Sequence, residues 1–252
     1  MDFPLTGLLE TLRTCRWVDL THTFEPGIPH FHAFPDEERT TLYHYDEGVG
    51  TQGHGFLAHE YRHIGQWGTH VDPPAHFVRG TRLLDEIPVT EMILPLVVLD
   101  ATALVREDID YAADVELVEA HEAEHGRIPD GAFVALRTGW SERWPDADAM
   151  QNRDPAGTAH YPGWGEDALR FLVESRSATA VGHEATDTDP GRLVSAGEYP
   201  AEAYILGADR WQVELLAGLG EVPPTGALVV AAWPKPKAGS GFPARVFAIV
   251  PR

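Results

Sequence analysis

The sequence predicts a mixed α/β fold, and three observations carry that expectation. Apolar runs of strand length recur along the chain, at Leu94–Asp100, Gly131–Arg137, Gly226–Ala232 and Ala244–Val250, as expected of strands buried on both faces. Segments of helical length, apolar and charged by turns, stand between them. The first part of the chain differs, being strand-like and loop-rich. Strands alternating with helices behind such a start point to α/β.

Taken in order, Leu8–Thr14 reads as a short helix and Trp17–Thr21 as a strand. His22–Phe34 is a loop rich in turn residues and aromatics. Segments 38–46 and 54–62 are strand-like with weak alternation, and His54, His59 and His63 read as structural or exposed. Residues 111–125 carry Val115, Leu117 and Val118 among many acids, a surface helix that Gly126 ends. Gly131–Arg137 leads into Thr138-Gly-Trp140. Residues 141–163, with Trp144, His160 and Trp164, form a long polar loop, a lid or a subunit contact. Glu166–Ser175 reads as an amphipathic helix and Ala178–Gly182 as a short strand. The polar segment Gly182–Gly191 follows at that strand's end, where α/β proteins commonly meet ligands. There His183, Glu184, Asp187 and Asp189 exceed what a turn needs, although an Asx-type turn is the plainer alternative.

Composition narrows the function classes. The chain of 252 residues is 43% hydrophobic, ample for a buried core. No apolar run approaches the 18 residues of a membrane span, and the start lacks the basic and apolar regions of a secretory signal. Cys15 is alone, so no internal disulfide forms and a cytoplasmic location is expected. With 39 acids against 19 bases the formal charge is −20, which opposes nucleic acid and anionic membranes as partners.

The chemistry concentrates in His63-Ile-Gly-Gln-Trp-Gly-Thr-His-Val-Asp-Pro-Pro-Ala-His-Phe77. His70 and Asp72 are two apart, so on an extended segment they leave the same face, about 7 Å apart at Cα. An imidazole nitrogen and a carboxylate oxygen can share one ion across that gap, with bonds of about 2.0–2.2 Å for zinc. Gln66 has the same parity but would lie about 13 Å from His70 on a straight strand. Gly65 and Gly68 let the backbone bend and bring the amide in. The Pro-Pro pair stops the ladder and stiffens the chain. His76 thus sits on a rigid turn beside the ion, a place for a general base. With 13 histidines in the chain, a structural His–Asp pair is the ordinary competing reading.

The string Gln66-Trp-Gly-Thr-His-Val-Asp-Pro-Pro-Ala-His76 resembles the signature His-x-Gly-Thr-His-x-Asp-x-Pro-x-His of the cyclase family of metal-dependent hydrolases, the family of kynurenine formamidase and isatin hydrolase. The match is complete except that Gln66 replaces the first histidine. A second resemblance lies in Glu202–Glu214, where the family carries a histidine and, twelve residues on, a glutamate, both of them ligands. Here Glu202 stands in the histidine position and Glu214 in the glutamate position; read without the resemblance, both are helix-surface acids.

The resemblance runs from about residue 17 to the C-terminus and implies a good deal. The fold would be a swivelling β/α/β, barrel-like domain over residues 1–252, assembled as a homodimer or homotetramer. Gln66, His70, Asp72, Glu202 and Glu214 would hold a divalent metal, and His76 would move the proton. Oxygen donors in place of two imidazoles favour Mn²⁺ without excluding Zn²⁺. Phe31, His32, Phe34 and His183 would contact the substrate. The loop Pro234–Arg245, with its Gly-Ser-Gly, would scaffold the pocket. The implied activity is hydrolysis of an amide or lactone in a small cyclic or aromatic molecule by metal-activated water. A biosynthetic cyclase or dehydratase, or a non-catalytic small-molecule-binding protein, stays open on the sequence.

Overall fold

The computed structural model describes residues 5–45 and 55–252. Met1–Pro4, His54 and one end each of the two strand-like segments 38–46 and 54–62 lie outside the described residues. Among the described residues thirteen strands follow in chain order: β1 Arg16–Asp19, β2 Glu38–Tyr43, β3 Ala58–Arg62, β4 His70–Asp72, β5 Ile93–Asp100, β6 Ala112–Ala113, β7 Phe133–Arg137, β8 Gly163–Trp164, β9 Ala180–His183, β10 Trp211–Glu214, β11 Ala227–Ala232, β12 Phe242–Pro243 and β13 Arg245–Val250. The helices are α1 Leu5–Thr14, α2 Thr102–Glu107, α3 Val115–His125, α4 Ala147–Gln151, α5 Glu166–Arg170 (continued by a π turn, Phe171–Ser175), α6 Gly191–Ala196 and α7 Pro200–Gly207. None of them is long and apolar enough to cross a membrane.

Nine strands form one sheet in the order β1-β13-β11-β5-β7-β9-β10-β4-β12. Its centre, β5-β7-β9-β10, is parallel and its flanks are antiparallel. The apolar runs of β5 and β7 are buried on both faces, as a covered parallel sheet requires. One core lies between the sheet and the helices, with Leu136, Val181, Trp164 and Ile205. The other lines the opposite face, with Phe133, Val213, Val229 and Val246. Each fully buried Phe or Leu there contributes about 1.5–3 kcal/mol.

The sheet curls into a half-barrel. β12 and β13 are separated only by Ala244, yet β12 occupies one edge of the sheet and β13 lies next to the other. A bridge between Thr21 and Leu216, extending β1 and β10, ties the same two regions. The barrel-like α/β fold expected from the resemblance is thus the fold observed.

Two local expectations change. Residues 141–163 are not an open lid: Met150 and Tyr161 are buried in the main core with Trp140 and Trp164. Trp140 anchors the stretch by donating from Nε1 to the Met150 carbonyl at 2.9 Å. The second concerns the alternative reading of Glu202 and Glu214, which are not helix-surface acids. Glu202 lies on α7 and Glu214 on β10, and both are buried.

Candidate active site

The register of β4 on β10 assembles the site. Asp72 lies opposite Gln212 and His70 opposite Glu214, with Val71 opposite Val213 between them. Because side chains alternate across a strand, the two valines enter the apolar core while the four polar residues share the other face. Asp72, His70, Gln212 and Glu214 are all buried. Glu202 reaches the cluster from α7, whose first turn is held by Asp189. That carboxylate accepts from Ala201 N at 2.8 Å and Glu202 N at 3.0 Å, satisfying two free N–H groups of the helix start.

His70 shows what the cluster is built for. Its Nδ1 bonds the Gly68 carbonyl at 2.8 Å, so that nitrogen carries hydrogen. Its Nε2 stands 3.4 Å from Asp72 Oδ2 and 3.4 Å from Glu214 Oε2. A bare lone pair facing two carboxylates would be repelled, so a proton or a cation belongs there. Burial would lower the imidazole pKa, but Asp72 and then Glu214 carry it up to about 9. Burial likewise opposes the Asp72 carboxylate, yet His70 and His76 hold it well below the usual range. Glu202 and Glu214 go the other way, pushed up by burial and by the neighbouring carboxylates.

Three buried carboxylates therefore converge with no Lys or Arg paired to them among the described residues. Ligand atoms of His70, Asp72 and Glu214 lie within 4.8 Å of one another, as do those of Asp72, His76 and Glu202. Carboxylate oxygens with an imidazole whose other nitrogen is fixed by a carbonyl are the donor set and support of a divalent metal. The residues present fit that group.

Two amides flank the cluster. Gln212 accepts from Thr188 Oγ1 at 2.7 Å, which turns its Nε2 toward Glu202 Oε1 at 3.0 Å and Glu214 Oε1 at 3.1 Å. Sequence reasoning missed Gln212; the available signal was its strand parity with Glu214. Gln66 arrives through the bend expected of its glycines, with Gly68 at φ +60. Its Nε2 donates to Asp72 Oδ1 at 3.0 Å and to the Ser240 carbonyl at 2.8 Å. In this arrangement Gln66 orients a ligand through its nitrogen instead of presenting its own oxygen. The Gly-Ser-Gly loop is its scaffold, since a Cβ at Gly241 would collide with the Gln66 amide.

A cavity of about 190 Å³ opens over the cluster, lined by Phe31, Phe34, Phe77, Gln66, His70, His76, Glu202 and Glu214, with Asp187 and Tyr199. That is below the roughly 300–1,000 Å³ of drug-sized pockets, so its occupant is small. His76 ends the turn Pro74–His76 that follows Pro73, and its Nδ1 lies 3.4 Å from Gln66 Nε2. The other two expected substrate contacts, His32 and His183, do not line this cavity, though His32 borders an adjoining one that shares Phe31 and Asp187 with it. His32 lines a neighbouring cavity with Gln151 and Arg153. His183 is buried behind the cluster, its Nε2 3.3 Å from Thr188 Oγ1 and 3.5 Å from Glu214 Oε1, and burial lowers its pKa to about 4. It packs against a ligand candidate as a neutral ring.

Glu184, in the same segment, has another part. Its Oε2 accepts from Thr138 N at 2.7 Å, Thr138 Oγ1 at 3.0 Å, Gly139 N at 2.6 Å and Trp140 N at 3.2 Å, and its Oε1 from Ser141 Oγ at 2.8 Å. It fixes the Thr-Gly-Trp turn.

Comparison with known proteins agrees with this geometry. The Cyclase family model matches residues 18–190. Isatin hydrolase of Roseibium aggregatum is 31% identical over 244 residues, 93% of this chain and 92% of that protein. Among solved structures, isatin hydrolase A from Labrenzia aggregata, bound to benzyl benzoate, superposes with a TM-score of 0.90 at 33% identity, covering 99% of this chain and 100% of that one. An isatin hydrolase bound to the product analogue thioisatinate gives 0.90 at 29% identity, with 98% of each chain covered.

Proposed function

We propose, from the premise that this chain belongs to the cyclase family, that it is a metal-dependent hydrolase opening the lactam ring of isatin or a close bicyclic relative. The observation that carries the reading is the buried His70–Asp72–Glu214 group, with no Lys or Arg partner among the described residues, at the floor of an aromatic cavity. The similarity to isatin hydrolases over nearly the whole chain supports the substrate class.

In the reaction, water adds its oxygen to the lactam carbonyl carbon and the ring C–N bond breaks. One proton goes to the departing nitrogen and the other is released, leaving an amine and a carboxylate. A divalent ion, which His70, Asp72 and Glu214 would hold with Glu202 close by, would supply the positive charge that polarises a carbonyl and acidifies water. His76 takes the proton from water and returns it to the nitrogen. Gln66 and Gln212 keep the carboxylates turned to the cluster's centre. Phe31, Phe34 and Phe77 hold the flat ring and exclude bulk water.

The oxygen-rich donors favour Mn²⁺ over Zn²⁺. We also carry a homodimeric or homotetrameric assembly in this proposal. The β2–β3 hairpin supports it, for it stands outside the main sheet and exposes Leu42, Leu57 and Tyr61.

The test is metal-stripped protein reloaded with Mn²⁺ or Zn²⁺ and assayed for isatin loss, with a chelated control. Turnover is expected with Mn²⁺ above Zn²⁺, and a shift toward Zn²⁺ when Gln66 and Glu202 are both changed to His. Equal or better activity with Zn²⁺ in the unaltered protein overturns the metal preference. No turnover with any ion overturns the hydrolase reading.

A further inference from the structure

One carboxylate in the cavity wall belongs to neither metal-holding group. Asp187 lines the cavity beside Thr186 and Leu215, is buried, and is absent from both clusters of ligand atoms. Its Oδ2 is fully engaged, accepting from Tyr161 OH at 2.5 Å and from Thr186 Oγ1 at 2.9 Å. Both donors are themselves fixed. Tyr161 is buried in the core beside Trp140. The Thr186 hydroxyl accepts from Gln151 Nε2 at 3.2 Å, so its one hydrogen is committed to Asp187. Oδ1 receives no donor among the hydrogen bonds of the described residues, and no Lys or Arg there forms an ion pair with this carboxylate. His183 and His32 stand near enough to act on its charge, and Asp187 also borders the adjoining cavity of His32 and Arg153.

A carboxylate whose orientation is imposed from behind, with its second oxygen unmet at a cavity wall, is an acceptor waiting for a donor. The charge classes narrow the donor. A cationic ligand would be drawn to the metal cluster's own carboxylates, whereas a neutral lactam N–H, bonded to the carbonyl carbon at the cluster, reaches a carboxylate such as Asp187 that stands beside Glu202 and Glu214. We propose that Asp187 Oδ1 accepts the ring N–H of the substrate, making it the residue that selects N–H lactams over N-substituted lactams and lactones. The inference rests on the lactam-hydrolase reading above and adds its specificity. Burial pushes the Asp187 pKa up while Tyr161 and Thr186 oppose that shift, and a donor at Oδ1 would favour the ionised form further.

The geometry also predicts what the isosteric amide does. In Asp187→Asn the amide oxygen must take the place of Oδ2, since Tyr161 and Thr186 both donate there. The NH₂ then occupies the Oδ1 position, and a donor faces the substrate's donor. The experiment measures kcat/KM for isatin and for N-methylisatin in both proteins, with metal content measured alongside. In the unaltered enzyme isatin is favoured over N-methylisatin by about 10–100-fold, the worth of one hydrogen bond to a charged group. Asp187→Asn loses about that factor on isatin, changes little on N-methylisatin and keeps its metal. Equal turnover of the two substrates by the unaltered enzyme, or an equal loss on both in the variant, overturns the inference while leaving the hydrolase reading standing. The first of these needs no variant, so a misfolded Asp187→Asn does not shield the idea. Failure to turn over either substrate overturns the hydrolase reading and this inference with it.

Discussion

Two groups of buried carboxylates lie within one fold and are treated in opposite ways. Glu184 is buried and meets five donors from Thr138, Gly139, Trp140 and Ser141. Asp72, Glu202 and Glu214 are equally buried, but they face one another and share two amide nitrogens, the Thr188 hydroxyl and the imidazoles of His70 and His183. A carboxylate surrounded by N–H groups is finished and does structural work. Three carboxylates left facing each other are costly unless something positive joins them. Donor count, more than burial, separates the part that holds the fold from the part that does chemistry.

The sharpest way to break this contrast is to remove one member of each group. Asp72→Ala should lose metal and drop activity to background while the folded fraction, followed by circular dichroism, stays near that of the unaltered protein. Glu184→Ala should do the reverse, keeping metal per folded molecule but losing at least about 3 kcal/mol as the turn's donors go unmet. That corresponds to a Tm lower by roughly 6–12 °C for a chain of this size. Equal stability loss in the two variants would show that the distinction by donor count is wrong.

A narrower test separates ligand from proton carrier inside the cluster. His76→Ala should keep its metal and lower turnover by about 10²–10⁴-fold. Metal loss in that variant would make His76 a ligand, which its place in the second group of ligand atoms allows for.

The smallest effect expected is in the pH dependence of stability. Without metal, Glu202 and Glu214 have raised pKa values and His70 is raised to about 9 from 6.5. Groups raised in the fold bind protons more tightly there, so their contribution is complete below the unfolded values and lost as pH climbs through the folded ones. Asp72, held low, acts only below that window. The metal-stripped protein should therefore show a falling Tm between about pH 6.5 and 9, above the range in which His22 and His183, lowered by burial to about 4, add stability as pH rises. Bound metal requires the ionised carboxylates, so the Tm increment from added Mn²⁺ should widen over the same range. An increment independent of pH would mean that the cluster and the metal do not compete for protons.

The legibility of the sequence follows the same division. The strands of the core were readable because their apolar runs are continuous, as in β5, β7, β11 and β13. The site strands β10 and β12 were not, because they are two to four residues long and β10 spends alternate positions on Gln212 and Glu214. A strand that carries chemistry has polar residues where a strand pattern expects apolar ones. His70, Asp72 and His76 were visible because one local segment holds them. Gln212 acquires meaning only through its register with Asp72 far along the chain, and Asp187, visible as a surplus acid, acquires its orientation through Tyr161, 26 residues away. Likewise, residue type alone does not tell that His183 stands behind the cluster against Thr188 and Glu214.

The junction of β12 and β13 has a consequence for the order of events during synthesis. The loop before β12 fixes Gln66 by a hydrogen bond spanning 174 residues, and β12 itself closes the edge against β4. At roughly 5–20 residues per second, a ribosome needs about 10–35 s after making Gln66 before Ser240 exists to receive it. Contacts of such sequence separation also form late in folding. The central strands can collapse long before then, but the metal-holding face stays unfinished until the last strands arrive. Assembly of the catalytic machinery thereby waits for Ser240 and β12, and a nascent product cut short of them would lack a working centre.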